Sequence, residues 1–448
     1  MSSPTQILAD FASRLSFEDI PDAIVRKAND AIVDSVAATV FGSTLPWSRI
    51  VIDYAVKYGG GGTGRILGTP ARVATPFAAL ANGTLAHGFE MDNLRQPSAG
   101  VHAGSTLLPP MFAVGDEVDA GGRDLLVAFV AGCEVMCRIG VAARNTAEKL
   151  GFHSPGLTGT FGAAVTAGRL LRLDPRQMAN ALGIAGSLCS GLLAFSKAGN
   201  GGTVKRLHTG RASEGGVLAA CLASAGFDGP DVVLEGKLGF FEAFTREPKL
   251  DELTAGLGSN WETSRICMKA YPCHVTANTP IQALRDLQAA HGFAAQDIAE
   301  IHIATSEKVL SHHDIRHPND IATAQYSLPF CMATAAWRDP SEPSSFLDNP
   351  HEDAGIIDLA QRVVLTLNEE SKAPGAAWAT KLRVRLRDGR EFAIERRDFR
   401  GAPSNPMSAE ELDAKFLHLV DGVIADPRRL LEQLNDLRAL PRISQLAI

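Results

Sequence analysis

A chain of 448 residues can bury a large core and is too long for one compact domain, so two domains are expected. With 45% hydrophobic and 21% charged residues it reads as a soluble globular protein, and a net charge of -7 argues against nucleic acid or an anionic membrane as the main partner. No uninterrupted apolar run of about 18 residues suggests a transmembrane helix, and residues 1–10 lack the basic-then-apolar pattern of a secretion signal, so a cytoplasmic location is expected.

In chain order, Ser16 to Gly42 reads as a helix, with Pro21 near its start and an apolar stripe of Ile24, Ala28, Ile32, Val36 and Val40. Trp47 to Tyr58 is a second, shorter one. The run Gly59 to Gly64 formally matches G-x-G-x-x-G, but the text before it is helical rather than strand-like and the text after it opens no helix. It is therefore expected to be a turn, and so is Gly199-Asn200-Gly201-Gly202. From Thr75 to Gly226 small residues recur at helical spacing, as in Ala78, Ala79, Asn82 and Ala86, which predicts close-packed buried helices and an all-α first part.

Composition changes near residue 265. Glu300 to Ser306 alternates like a strand, and Lys381–Leu386 with Glu391–Glu395 alternate around Asp388-Gly389, the best hairpin signal in the chain. Residues 403–406 read as a linker, and Ser408 with Glu411 forms a capping box opening a helix toward Val423. The expected architecture is mainly α. A large helical domain is made from residues 1–265 and 401–448, and a smaller α+β lid domain from 266–400.

The seven cysteines are odd in number and scattered, which fits reduced, buried thiols better than a disulfide framework. Cys133 and Cys137 lie one helical turn apart and could be half of a metal site. No second pair accompanies them, however, and Val135, Met136 and Ile139 around them read as core. Nothing matches the three-cysteine ligation of an iron–sulfur hydratase.

The chemistry is expected to converge on Lys269-Ala-Tyr-Pro-Cys-His274, where Pro272 forbids a regular helix and a helical pattern follows from Thr276. Polar groups on a turn entering a helix N-terminus suit an anion, in particular a carboxylate. Other polar residues interrupt apolar text: Asp92 and His102 around a loop, His153 in Gly-Phe-His-Ser-Pro-Gly, Lys205 with His208 on one helical face, and Tyr326. Together these define one chemistry. Lysines and histidines would hold the carboxylates of a small polyacid, and histidine, tyrosine or lysine would move a proton at the carbon beside a carboxylate. Each well-aimed donor could supply about 3–4 kcal/mol to the charge that builds up, so several are needed. No cofactor and no metal is required. A serine hydrolase lacks its G-x-S-x-G elbow, a zinc enzyme lacks H-E-x-x-H, and His312-His313-Asp314 reads as a solvated loop.

Six stretches, in order along nearly the whole chain, resemble the MmgE/PrpD family: 86–93 (Ala-His-Gly-Phe-Glu-Met-Asp-Asn), 100–102 (Gly-Val-His), 151–156, 205–212 (Lys-Arg-Leu-His-Thr-Gly-Arg-Ala), 269–274 and 324–329 (Ala-Gln-Tyr-Ser-Leu-Pro). The resemblance implies a homodimer acting without metal or organic cofactor as a 2-methylcitrate dehydratase, cis-aconitate decarboxylase or iminodisuccinate epimerase. It places Asp92, His102, His153, Lys205, Lys269, His274 and Tyr326 in a pocket at the domain seam. Asp92, His102, Lys269, His274 and Tyr326 would be catalytic, while His153, Lys205 and Lys269 would bind substrate. Dehydratases of the family usually read Leu-Asp-Phe-Asp-Asp-Thr where this chain has residues 89–94, so Asn93 and Leu94 replace an acid and a threonine. An epimerase needs no acid for a leaving hydroxyl, which makes an iminodisuccinate-type epimerase the leading expectation and a dehydratase or decarboxylase the alternative. Lys269→Ala or His102→Ala is expected to abolish turnover with the fold intact. A non-catalytic helical binding or scaffold protein is the reading from another class; failure of every polycarboxylate to raise the melting temperature would favour it.

Overall fold

The computed structural model of the chain describes residues 2–97, 100–196, 202–373 and 376–448. The first part is a stack of helices: α1 (Pro4–Arg14), α2 (Asp22–Ser43), α3 (Pro46–Tyr58), α4 (Thr75–Ala86), α5 (Ala103–Val118), α6 (Gly122–Ala143), α7 (Thr146–Lys149), α8 (Ser154–Leu170), α9 (Pro175–Leu188), α10 (Val204–Ser224) and α11 (Phe240–Phe244). The expected glycine-rich turn at 59–64 leads into a two-residue strand, β1 (Gly64–Arg65), paired antiparallel with β2 (Arg72–Val73). The corresponding expectation for Gly199 to Gly202 lies outside the described residues, apart from Gly202 itself.

Small residues explain the tightness of this stack. A Cβ on Gly83 of α4 would sit 2.8 Å from the Gly210 backbone of α10, and one on Gly216 would meet Ala163 of α8 at 2.3 Å, so neither contact tolerates a side chain. Helix α6 is apolar on nearly all sides and long enough to cross a bilayer by length and composition, yet almost all of it is buried inside the bundle. Its two internal charges, Glu134 and Arg138, are paired and hydrogen-bonded to the 255–263 segment: Glu134 accepts from the amides of Glu262 and Thr263, and Arg138 donates to the carbonyls of Ala255 and Asn260. A central helix of a globular core accounts for it.

The second part holds α12 (Val275–His291), α13 (Glu307–His312), α14 (Ile321–Tyr326), α15 (Leu328–Trp337), α16 (Ser344–Leu347) and α17 (Ala354–Gln361). Two residue pairs join it to the first part: β3 (Leu94–Arg95) runs antiparallel to β4 (Ile266–Cys267). A four-stranded sheet follows, with β5 (Ile298–Thr305), β6 (Val363–Leu367), β7 (Thr380–Leu386) and β8 (Glu391–Arg396) in the order β6-β5-β7-β8. β5 is parallel to β6 and antiparallel to β7, and the β7–β8 hairpin turns at Asp388-Gly389 as expected, with Gly389 at φ +91°. Ile298, Ile301 and Ile303 put the apolar face of β5 into the core, and α12 packs on β7 and β8.

The chain then returns. Ser408 and Glu411 form the expected capping box of α18 (Ala409–Val420), which packs on α2 and is followed by α19 (Pro427–Asn435), a helix the sequence pattern did not single out. The stretch expected to be a linker is instead a compact turn. Gly401 donates to the Asn405 carbonyl at 2.8 Å and accepts from the Met268 amide at 2.9 Å, which fastens the residue just before Lys269.

Candidate active site

Four helices begin at one place. His102, His153 and His274 occupy the positions immediately before α5, α8 and α12, and Lys205 lies in the first turn of α10. A residue at that position has left the helical conformation, so its side chain is free to turn inward while unpaired backbone N–H groups face the same space. The positive ends of the helix dipoles therefore surround the site.

These side chains line a cavity of about 610 Å³ together with Lys269 and Tyr326. Asp92 stands behind its wall and reaches it through His102. All seven residues expected from the sequence thus belong to one locus. A wider cleft of about 830 Å³ lies on the opposite side of the Lys269–Pro272 turn. Six of its charged groups are paired with each other, in Arg396–Asp286, Arg400–Glu411 and His418–Glu342, and among its described lining residues His418 is the one histidine.

Asp92 is the centre of a hydrogen-bonded relay. Its Oδ2 accepts from His102 Nδ1 at 2.7 Å, His87 Nδ1 at 3.0 Å and Ser105 Oγ at 2.9 Å, and Lys269 Nζ stands 3.7 Å from Oδ1. Burial alone would raise this carboxyl, but the two imidazoles and Lys269 outweigh it and hold Asp92 well below the usual carboxylate range. Donation from Nδ1 leaves the Nε2 lone pair of His102 to act on a substrate. Burial drives His87 down to about 3, so it remains a neutral donor. His87, Asp92 and His102 offer ligand atoms within 4.8 Å of each other, the spacing of a possible metal site. Three N–H or O–H donors at hydrogen-bond length on a single oxygen fit a proton relay better.

On the facing side, the Thr276 amide donates to His274 Nδ1, which places the proton of the neutral ring on Nε2. Burial and the neighbouring His313 push His274 well below the usual histidine range. His153 exchanges a hydrogen bond with His208, Nδ1 to Nδ1, at 3.0 Å, and burial lowers both. Tyr326 lies against His274 in a tilted arrangement, with ring centroids 4.8 Å apart and planes inclined by 59°; burial pushes its phenol up, so it stays a donor. Lys205 lies 4.6 Å above the Tyr326 ring. Burial, then Lys269 and Arg206, push its ammonium well below the usual lysine range, while an ion pair with Glu90 works in the opposite direction. Lys269 donates to the Glu90 carbonyl at 2.9 Å and lies 3.4 Å from its carboxylate.

Two family models divide the chain: the MmgE/PrpD N-terminal domain matches residues 6–253 and the C-terminal domain residues 271–438. The chain belongs to the MmgE/PrpD family. Similar proteins include a cis-aconitate decarboxylase of Aspergillus terreus, 28% identical with 100% of this chain and 95% of the relative covered. A cis-aconitate decarboxylase-like protein, oryM of Aspergillus oryzae, is 28% identical, with 97% of this chain and 94% of the relative covered. The cis-aconitate decarboxylase of Homo sapiens is 25% identical over 93% of this chain and 87% of its own length.

Within this MmgE/PrpD site the structure corrects two readings. Asn93 does not face the cavity: its Nδ2 donates to Asp34 and Ser35 of α2, and its Oδ1 accepts from the Gly104 amide. The replaced acid of the family motif therefore says little about leaving-group chemistry, although Leu94 does line the cavity. His313 is not solvated. It is 2% exposed, donates from Nδ1 to the Tyr326 carbonyl at 3.0 Å and packs against His274 with ring centroids 4.0 Å apart and planes inclined by 31°. Three further polar residues of the site carry no periodicity or spacing signal of their own. His87 and Glu90 lie inside the 86–93 motif, and Gln325, which donates to the carbonyls of Phe89 and Pro272, lies beside Tyr326. Motif membership was their only signal.

Proposed function

We propose that this chain is a cofactor-independent lyase that acts on a small polycarboxylic acid by proton transfer at a carbon beside a carboxylate, with decarboxylation of a cis-aconitate-like acid as its leading reaction. One observation carries the reading: the Asp92–His102 relay is aimed into a cavity ringed by Lys205, Lys269 and helix N-termini. The cations and N–H groups hold the substrate carboxylates, and each aimed donor contributes about 3–4 kcal/mol where charge develops. Loss of CO2 breaks a C–C bond, its electron pair moves into the adjacent unsaturated system, and a proton is delivered at carbon. His102 is the group placed to carry that proton, with the Tyr326 hydroxyl and His274 Nε2–H as donors on the opposite side. A homodimer, a cytoplasmic location and the absence of nucleic-acid or membrane partners go with this proposal, from the family resemblance and the net charge.

Epimerisation of an iminodisuccinate-type acid is the second reading. It is favoured by Leu94, an apolar wall residue where the family's dehydratases carry threonine, because no hydroxyl stands there to assist a departing group. Incubation with cis-aconitate in deuterium oxide, followed by proton NMR and CO2 detection, separates the two. Release of CO2 with one deuterium per product supports the lyase. Solvent deuterium entering the α-carbon of an iminodisuccinate-type acid without CO2 supports the epimerase. No turnover and no exchange with either substrate class would sink both.

A further inference from the structure

The two lysines that face the cavity already hold a carboxylate. Glu90 is 2% exposed, its side chain is ion-paired with Lys205, and its Oε2 lies 3.4 Å from Lys269 Nζ. Its backbone is left-handed at φ +59°, a conformation that side-chain-bearing residues adopt rarely and at a cost of about 1–3 kcal/mol. Lys269 holds that bend through the Glu90 carbonyl, and Gln325 holds the preceding carbonyl of Phe89. A strained bend secured from two sides thus aims the carboxylate at the place where a bound acid would meet both ammonium groups.

Resting on the polycarboxylate reading above, we propose that Glu90 is a specificity-determining residue that occupies the Lys205–Lys269 anion site in the free enzyme and sets how much negative charge a substrate may bring. A ligand carboxylate and the Glu90 carboxylate compete for the same two cations. Like charges at this separation repel strongly in a buried site, and the repulsion grows with the charge of the ligand. The repulsion therefore costs a trianion more than a dianion of similar size, so a cis-aconitate-like acid, itself a trianion, binds more weakly than the two lysines alone would allow.

The experiment is calorimetric titration of succinate, a dianion, and tricarballylate, a trianion, into wild type, Glu90→Gln and Glu90→Asp. Glu90→Gln should bind both more tightly, with tricarballylate gaining by about ten-fold or more and succinate by less. Glu90→Asp keeps the charge and should retain the wild-type preference between the two ligands, which also guards against poor folding of the glutamine variant. If wild type binds these acids and Glu90→Gln binds them no more tightly, or gains equally for both, the role of Glu90 is overturned while the site stands. If Glu90→Gln does not fold, loss of the wild-type preference in Glu90→Asp overturns it, and its retention supports it. Binding of neither acid to wild type or to either variant overturns the polycarboxylate site itself.

Discussion

Three donors converge on one oxygen of Asp92, and one of them, His102, opens onto the cavity. In Asp92→Asn an amide nitrogen facing His102 Nδ1 would force the ring proton to Nε2 and remove the free lone pair. Turnover should fall by about 10²–10⁴-fold with little change in far-UV circular dichroism, measured with whichever acid proves to be the substrate. For Lys269→Ala the sequence alone predicts loss of turnover with the fold intact, and the burial and pairing of this lysine add a stability cost. Lys269 is 1% exposed and paired with Glu90 and Asp92, so Lys269→Ala leaves two buried carboxylates without it. A loss of about 3–5 kcal/mol in unfolding free energy should accompany the loss of turnover, read by urea denaturation. Residues such as His102 and Lys269 were legible because imidazole and ammonium are out of place in apolar text. His313 was not, since a histidine pair followed by an acid looks the same whether the chain turns outward or, as here, inward onto His274.

At the scale of elements, the long helices and the β7–β8 hairpin declared themselves through periodicity. The β3–β4 pairing did not, because two-residue strands have no period to read; yet it sets the Asp92 loop against the Lys269 turn. Equally hidden was the link through α2. Asp34 is buried, accepts from Lys415 of α18 at 2.6 Å and from Asn93 at 3.0 Å, while Lys415 also donates to the Lys269 carbonyl at 2.9 Å. Three distant segments meet on one carboxylate. Asn93→Asp would set two buried carboxylates side by side, and they cannot both ionise without large cost. The variant should be less stable at pH 8 than at pH 5.5, relative to wild type at each pH, in thermal unfolding. A difference independent of pH would refute this account of why asparagine stands there.

For the molecule as a whole, the buried histidines make acid the vulnerable direction. Burial lowers His87 and His313 to about 3, whereas in the unfolded chain both take up protons near 6.5. Between those values the unfolded state binds more protons, so stability is lost as pH falls from 6.5 toward 3. Each ring contributes up to about 1.4 kcal/mol per pH unit. Differential scanning calorimetry should show the melting temperature dropping steeply below pH 6.5, with a shallower slope in His313→Asn. A flat profile would contradict the neutral, buried assignment.

The tether from Lys415 to the Lys269 carbonyl carries a consequence for biosynthesis. A ribosome has made both proposed substrate-binding lysines and every imidazole of the relay long before it reaches residue 415, yet the strut that fixes one of those lysines is still unmade. Emerging polypeptide should therefore remain idle until Lys415 and its helix α18 are released, and messages cut short before that point should yield protein that accumulates without turnover.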